Sequence, residues 1–218
     1  MRIGVGVSTT TRRPDHFERW VDLLASDLFV NITDKYIAHD IDSVAKSKNE
    51  CLRNLRECDY VFLFDDDCFP IKAGWEKIFI DAHNAFGCHH FSYLHNFLHV
   101  RKVGGKDGIS TYNNSIGCMM FLTKDAIERV GAYDEGYGKY GYEHVDYSER
   151  VLMAGLAPAR NICPDVAPEY IYSMDIDGWM KFDFKHHHTL TPDEMIAAEK
   201  TASEHISKRD DKIINIPL

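Results

Sequence analysis

The chain has 218 residues, enough for one domain with a substantial buried core. Hydrophobic residues make up 44% and charged residues 27%, as is typical of globular proteins, and no apolar run approaches the roughly 18 residues of a membrane span. The net charge of −9 argues against a general nucleic-acid binder, because affinity for the phosphate backbone comes from clustered Lys and Arg. A nucleoside diphosphate can still bind an acidic protein where a divalent cation bridges the two sets of negative charge.

The N-terminal residues lack the long apolar segment of a secretory signal, and the six cysteines are scattered without CxxC pairs. A chain of this size needs no disulfide framework. We therefore expect a soluble, cytoplasmic protein whose thiols are reduced and mostly buried.

The first part of the sequence alternates strand and helix patterns. Residues 60–64 (YVFLF) form a continuous apolar run, typical of a strand buried on both faces of a parallel sheet. Apolar residues recur at helical spacing after Pro14, which suits the first position of a helix. In chain order we predict a strand over 2–8, a helix from Pro14, strands over 28–32 and 36–39, a helix over 43–57 and a strand over 60–64.

The second part of the sequence contains more irregular segments. Glycines at 104, 105 and 108 predict a polar, flexible loop that can close over a ligand, and prolines between 158 and 168 leave room for one strand. Thr191 to Glu194 (TPDE) form a capping box with proline at the first helical position. The other predicted elements are helices over 75–84, 124–130, 143–154 and 192–207 and a strand over 116–122.

Alternating strands and helices predict an α/β domain with a mixed, mostly parallel central sheet flanked by helices. Such sheets bind ligands in the crevice beyond the carboxyl ends of their strands. Asp65, Asp66 and Asp67 follow the apolar strand at such an end.

Three adjacent carboxylates repel one another, so a turn that holds them is destabilised unless a cation compensates. Their hard oxygen donors suit Mg²⁺ or Mn²⁺. A solvated acidic turn is the alternative. A calcium-binding EF-hand is excluded because Phe69 occupies a ligand position and Pro70 replaces the required glycine.

A second acidic cluster lies at the predicted start of the helix over 143–154. On a helix, Glu143 and Asp146 share a face and can meet an acceptor hydroxyl, although N-terminal helix charges that favour the macrodipole explain them equally well. Tyrosines between 133 and 147 either stack on an acceptor or belong to the core. The histidine triplet His186, His187 and His188 can complete a metal site or form a surface patch.

Four segments, taken in order, resemble the GT-A glycosyltransferases of the broad family-2-like group over about residues 1–156. AKSKNE at 45–50 resembles the helix with the family's "ARN" sequence, and DYVFLFDDD at 59–67 resembles its strand with the DxD motif. Residues 117–134 resemble the segment that runs from "GxxM" to "VGGFDE", and GYEHVDYSER at 141–150 resembles "GGEDVDLSLR".

The resemblance implies a single Rossmann-like GT-A domain over 1–218. Its nucleotide-sugar-binding half spans 1–100, its acceptor-binding half 101–190, and a C-terminal helix and tail 191–218. The implied activity is that of a metal-dependent, hexosyltransferase-like enzyme that uses Mn²⁺ or Mg²⁺ and inverts the anomeric configuration. The implied donor is a nucleotide-diphosphate sugar, UDP-sugar first, and the acceptor is a glycan, a protein or a modified nucleobase.

The resemblance also implies roles for individual residues. The expected nucleotide-sugar site comprises Thr9, Thr10, Arg12, Asp34, Lys48, Asn49, Asp65 and Asp66. The expected metal site comprises Asp65, Asp67, His186 and His188.

His144 departs from the family pattern, because inverting members usually have the aspartate of their Glu-Asp pair as the catalytic base. The candidates for the base are therefore Glu143, His144 and Asp146; a retaining enzyme would need no such base. An unperturbed imidazole, with a pKa of about 6.5, suits proton abstraction at neutral pH.

Three other functions compete with a glycosyltransferase. A metal-dependent phosphoesterase needs more carboxylates from other strand ends, and a pyrophosphorylase needs a Gly-rich loop that VGVSTTTRRP lacks. A catalytically weak sugar-nucleotide-binding protein is the third, favoured by the departure at His144.

Overall fold

The computed structural model describes residues 1–97, 99–178, 191–208, 210 and 214–218. Strands and helices alternate through most of this part of the chain. The first elements are β1 (Ile3–Thr9), α1 (Pro14–Ala25), β2 (Asp34–His39), α2 (Val44–Leu55), β3 (Tyr60–Asp65), β4 (Cys68–Pro70), α3 (Trp75–Phe86) and β5 (His90–Ser92). They are followed by β6 (Lys102–Lys106), β7 (Ile109–Tyr112), β8 (Met119–Thr123), α4 (Lys124–Val130), α5 (Glu143–Met153), β9 (Ile162–Pro164), β10 (Ile171–Ser173) and α6 (Pro192–Lys208).

A five-stranded sheet in the order β2-β1-β3-β8-β5 forms the centre of the molecule. Strand β1 pairs in parallel with β2 and β3, whereas β8 runs antiparallel to both of its neighbours. Four of the five strands therefore point the same way. This confirms the predicted α/β class with a mixed, mostly parallel sheet.

The register of the parallel strands brings three chain segments to one edge of the sheet. Ser8 pairs with Asp65, and Thr9 pairs with His39, so β1, β2 and β3 end side by side. The loops that leave these strands therefore meet at their carboxyl ends, where open α/β sheets bind ligands.

The apolar run of β3 is buried on both faces, as its sequence predicts. Phe62 packs against Trp75 of α3 with ring centroids 4.7 Å apart, and Phe64 packs against Trp20 of α1 at 5.2 Å. On β1, Gly6 allows α2 to approach closely, because a Cβ at this position would lie 2.6 Å from the Cβ of Cys51. All six cysteines are buried and free, which confirms the prediction of unpaired thiols.

The predicted strand over 28–32 is wrong. Phe29 and Ile32 are buried there while Val30 is 77% exposed, a spacing of three rather than two, and Asp27–Phe29 form a turn of 3₁₀-helix instead. The predicted flexible loop around Gly104 is the hairpin of β6 and β7. Its turn has positive φ at Asp107 (53°) and Gly108 (86°), as the Asp-Gly sequence favours.

The predicted helices are present, and the capping box of α6 is confirmed. The side chain of Thr191 accepts a hydrogen bond from the Glu194 amide (3.3 Å), and Glu194 accepts one from the Thr191 amide (2.8 Å). In the described part of the chain, no helix combines the length and apolar character needed to cross a membrane.

Candidate active site

A cavity of about 620 Å³ opens at the carboxyl ends of the three parallel strands. Its size lies in the range of small-molecule sites, about 300–1,000 Å³. Eight of the residues expected from the sequence line it, namely Thr9, Thr10, Arg12, Asp65, Asp66, Asp67, Glu143 and His144. The tertiary structure therefore brings the aspartate triplet and the start of α5 to one site.

Asp66 is held by the loop after β1 and by α1. Its carboxylate accepts hydrogen bonds from the hydroxyl of Thr9 (2.9 Å) and from Arg13 Nη1 (2.9 Å), and His16 Nδ1 lies 3.4 Å away. Its backbone carbonyl accepts a hydrogen bond from the indole of Trp20 (3.2 Å). Both carboxylate oxygens thus have protein partners, which makes Asp66 an anchor between β3 and α1.

Asp67 keeps one oxygen without a hydrogen-bond partner, whereas Asp65 is paired with a lysine. Asp67 Oδ2 accepts a hydrogen bond from Arg13 Nη1 (2.8 Å), and Asp67 Oδ1 is buried and accepts none from the described residues; Asp65 Oδ1 is buried 3.5 Å from Lys48 Nζ. Burying an unpaired carboxylate oxygen is unfavourable, and a bound cation removes the cost. The carboxylates of Asp65 and Asp67 fit Mg²⁺ or Mn²⁺, which proteins usually bind through one or two carboxylates together with substrate phosphates.

Within the described residues, no group of three or more His, Cys, Asp or Glu side chains is arranged as a preformed metal site. The predicted ligands His186 and His188, with the neighbouring His187, lie outside the described residues. Asp65 and Asp67 are thus the two predicted ligands that the structure brings together.

The charge state of Asp65 reflects this crowding of carboxylates. Burial raises its pKa to about 7; the nearby charges of Asp67 and Glu143 add to the effect, and Lys48 opposes it. A carboxyl group that holds a proton near neutral pH is one that a cation can occupy in the proton's place.

Lys48 lies beneath the cavity and is 1% exposed. Its ammonium donates a hydrogen bond to the Gly117 carbonyl (2.9 Å) and lies 3.5 Å from both Asp65 Oδ1 and Glu143 Oε1. Burial lowers the pKa of Lys48, but the two carboxylates outweigh burial and raise it overall. The lysine is therefore charged, and it contacts the carboxylates rather than the cavity.

Glu143 and His144 begin α5 and line the same cavity as the triplet. Burial raises the pKa of Glu143, but a hydrogen bond from His144 and the charge of Lys48 outweigh burial and lower it to about 2. Because an ionised carboxylate only accepts, Nδ1 of His144 carries the proton of this 3.4 Å contact. Nε2 of His144 is then the nitrogen that can accept a proton.

Two predicted site residues have structural contacts instead. Asp146 is buried; its Oδ2 accepts a hydrogen bond from Arg150 Nε (2.8 Å), and it does not line the cavity. The Asn49 amide donates to the Tyr133 carbonyl (3.0 Å) and accepts from the Tyr133 amide (2.7 Å). We correct both assignments, because these side chains hold α5 and α2 in place away from the cavity.

Asp34 lies at the wrong end of its strand to contact a ligand in the cavity. It is the first residue of β2 and accepts a hydrogen bond from Arg2 (2.6 Å) at the amino end of the sheet. Asp40 and Asp42, which follow β2, line the cavity instead. The predicted strand over 36–39 already ended at His39, so the carboxyl-end rule applied to it would have identified them.

Two cationic residues of the cavity wall are not among those predicted from the sequence. Arg13 bridges Asp66 and Asp67, and Lys139 lies in the loop before α5. Both residues could be found from their position in the sequence. Arg13 directly precedes the helix that covers the triplet, and Lys139 lies three residues after Gly136 in a loop rich in tyrosines.

The tyrosine-rich segment supplies both core and cavity residues. Tyr133 and Tyr147 are fully buried and stack with centroids 4.3 Å apart. Tyr140 is 44% exposed and lines the cavity. Tyr140 is therefore the tyrosine of this segment that lines the cavity.

No family model matches the sequence. Among curated proteins, the chain is 27% identical over 181 residues to an uncharacterized glycosyltransferase of Acanthamoeba polyphaga mimivirus. The match covers 76% of this chain and 62% of the relative, so the chain spans less than two thirds of the relative's length.

Solved structures with a similar arrangement share little sequence with the chain. One is the mannosyltransferase PcManGT from Pyrobaculum calidifontis in complex with GDP-Man and Mn²⁺, with 12% identity, a TM-score of 0.49, and coverage of 96% of this chain and 76% of that one. Another is an apo UDP-glucose pyrophosphorylase, with 11% identity, a TM-score of 0.41, and coverage of 96% and 82%. The curated match therefore relates the chain by sequence to a protein named as a glycosyltransferase.

Proposed function

We propose that this chain is a metal-dependent GT-A glycosyltransferase that moves a sugar from a nucleoside-diphosphate donor, UDP-sugar first, to an acceptor hydroxyl with inversion. The observation that carries the proposal is one cavity lined by Asp65, Asp67 and His144, in which a buried oxygen of Asp67 has no hydrogen-bond partner among the described residues. The curated relative named as a glycosyltransferase supports the same activity.

The donor end of the cavity combines carboxylates with cationic side chains. Asp65 and Asp67 would hold Mn²⁺ or Mg²⁺, which would supply positive charge to stabilise a departing nucleoside diphosphate. Arg12 and Lys139 line the same cavity and can pair with phosphate oxygens. The side chains of Thr9 and Thr10 contribute hydroxyl groups to this wall.

The acceptor end presents a base and the group that orients it. Nε2 of His144 takes the proton of the acceptor hydroxyl as that oxygen attacks the anomeric carbon. The bond from this carbon to the phosphate oxygen breaks, and its electron pair leaves with the nucleoside diphosphate. Glu143 accepts from Nδ1 of His144 and stabilises the imidazolium that forms.

Substitution of Asp67 tests the proposal directly. We expect Asp67→Asn to lower metal-dependent transfer, or hydrolysis of the nucleotide sugar, roughly 100-fold or more, because electrostatic stabilisation of the leaving group is lost. The fold should remain, since the replaced oxygen Oδ1 has no partner to lose. Release of UDP or GDP from a panel of nucleotide sugars, with Mn²⁺ or EDTA, gives the rate.

Asp81→Asn is the matched control, because Asp81 is exposed on α3 and pairs only loosely with Lys77 (3.8 Å). It should keep the activity of the unmodified chain. Full metal-dependent turnover by Asp67→Asn would contradict the proposal. Nucleotide binding without any turnover would instead favour the catalytically weak binding protein, and phosphate release from simple phosphoesters would favour the phosphoesterase.

A further inference from the structure

Lys48 is a buried charge that no ligand in the cavity can reach. It lies on α2 with 1% of its surface exposed and does not line the cavity. Lysine is almost never fully buried unless its charge is paired. The ammonium therefore acts on its protein neighbours.

Those neighbours come from three different segments of the chain. The ammonium contacts Asp65 at the end of β3, Glu143 at the start of α5, and the Gly117 carbonyl just before β8. Three acceptors match the three N–H donors of an ammonium group. One side chain thus joins the donor wall of the cavity to its acceptor wall.

The two carboxylates are close enough to need this cation. Each lies 3.5 Å from the same nitrogen, so the sum of the two distances places their oxygens no more than about 7 Å apart. Two buried like charges at that separation repel strongly. Without Lys48 we expect them to move apart.

Lys48 also fixes the backbone against which His144 rests. A Cβ added to Gly117 would lie 2.7 Å from Cγ of His144, so the imidazole ring packs directly on this glycine. The hydrogen bond from Lys48 holds the Gly117 carbonyl at 2.9 Å. A change at Lys48 therefore reaches His144 by two routes, through Glu143 and through Gly117.

We propose that Lys48 is a positioning residue that holds Asp65 at a fixed distance from the Glu143–His144 pair. It thereby aligns the donor end of the cavity with the catalytic base, His144. This inference rests on the proposed transferase function. It replaces the expectation that Lys48 binds the nucleotide sugar itself.

Lys48→Met tests the inference, because methionine retains an unbranched apolar stem and removes the charge. We expect kcat to fall about 100-fold, as for a small misplacement of catalytic groups, with a much smaller change in the KM for the donor. Lys48→Arg keeps the charge, so its kcat should be about tenfold higher than that of Lys48→Met. Lys77→Met, an exposed lysine of α3, is the control and should leave both constants unchanged.

Crystal structures supply a readout that does not depend on activity. In Lys48→Met we expect the carboxylates of Asp65 and Glu143 to be farther apart than in the unmodified chain, and the ring of His144 to be displaced on Gly117. If Lys48→Met does not fold, the double variant Lys48→Met with Glu143→Gln removes one charge of each sign. It should still show the ring of His144 displaced on Gly117, because the hydrogen bond from Lys48 to the Gly117 carbonyl is lost.

The outcomes separate this inference from the proposed function. If the unmodified chain releases no nucleotide from any donor, the transferase proposal fails, and the crystal structures alone decide the positioning role. Carboxylates that stay in place in Lys48→Met would overturn that role. So would transfer by this variant within about threefold of the unmodified rate, the change expected of a residue that positions nothing.

Discussion

At the scale of single residues, partners decide what each acidic side chain of the cavity wall can do. Both oxygens of Asp66 are bound by protein donors, Asp65 is paired with Lys48, and Asp67 keeps one buried oxygen without a hydrogen-bond partner among the described residues. Glu143 is held as an anion by His144 and Lys48. In the proposed mechanism, these similar carboxylates would therefore have three separate roles: anchor, cation ligand and orienting group.

His144 is the residue whose substitution should affect chemistry most selectively. We expect His144→Gln to lower the rate of transfer about 10²–10⁴-fold, because the amide cannot accept the acceptor's proton. The affinity for a nucleoside diphosphate, measured by titration calorimetry, should change little. A variant that keeps transfer would contradict the role of His144 and return the base to Glu143.

Asp146→Asn is the counterpart of His144→Gln, because we expect it to lower the stability of the fold rather than to act on the chemistry. It leaves Arg150 buried without its charged partner, and removal of one member of a buried pair costs about 3–5 kcal/mol. Urea unfolding should show this loss. A stable but inactive Asp146→Asn protein would restore Asp146 as a catalytic candidate.

His90 should make the stability of the fold depend on pH. It is fully buried, its Nδ1 donates to the Phe121 carbonyl (2.9 Å), and its Nε2 lies 2.8 Å from Ser148 Oγ. Burial lowers its pKa from 6.5 to about 4. The unfolded chain therefore binds a proton first as the pH falls, and stability present above pH 6.5 is lost towards pH 4.

The loss attributable to His90 is about 3 kcal/mol, at 1.36 kcal/mol for each pKa unit. Urea unfolding between pH 7 and pH 4 measures it. His90→Gln retains a donor and an acceptor but cannot titrate, so its curve should be flatter by this amount. An equally steep curve for His90→Gln would assign the pH dependence to other groups.

At the scale of elements, the first turn of α6 contacts residues that line the cavity. Glu194 accepts hydrogen bonds from Lys139 (2.8 Å) and from Arg12 (3.4 Å), and both of these residues line the cavity. The hydrogen bond from Lys139, with those from Thr191 and Arg12, lowers the pKa of Glu194 to about 2. Farther along α6, His205 contacts Asp134 (2.8 Å).

Glu194→Gln should loosen this attachment. The neutral amide loses the charged contacts to Lys139 and Arg12, so we expect deuterium exchange at the α6 amides to become several-fold faster. Exchange in β1 and β3 should not change. Glu204→Gln, which affects only a contact with Lys200 within the helix (3.9 Å), is the control.

At the scale of the whole molecule, the cavity exists because distant segments meet. The ends of β1, β2 and β3 supply one wall, and the segment up to α5 supplies the other. The two walls are joined by Lys48 inside and by Glu194 at the rim. A ligand that contacts both walls should therefore stabilise the entire fold.

Mn²⁺ and UDP or GDP together should raise the thermal midpoint. Saturation at 100 times Kd contributes about 2.7 kcal/mol, which corresponds to about 5–10 °C for a chain of this length. Mn²⁺ alone should give a smaller shift, because two carboxylate oxygens leave most of its coordination to phosphates and water. Asp67→Asn should abolish the combined shift, and an undiminished shift in that variant would place the cation elsewhere.

Much of the fold follows from local sequence. The apolar run of β3, the helical spacing in α1 and α2 and the capping box of α6 are short-range patterns, and each element forms where its pattern predicts. The strand predicted over 28–32 is wrong because apolar residues there fit a strand by type alone. Their burial recurs at a spacing of three residues, which a strand does not have. The Asp-Gly sequence at 107–108 favours the turn of the β6–β7 hairpin, whereas the neighbouring glycines favour a flexible loop.

The sequence by itself determined the aspartate triplet at the end of a buried strand and the acidic start of α5, because both depend on residues adjacent in the chain. Only the tertiary structure decided which of these side chains are available. Asp146 is paired with Arg150, Asn49 with Tyr133 and Asp34 with Arg2, while Lys48 is enclosed by partners from three segments. Side-chain pairing over such sequence separations depends on how the strands and helices pack, and this packing leaves no local pattern in the chain.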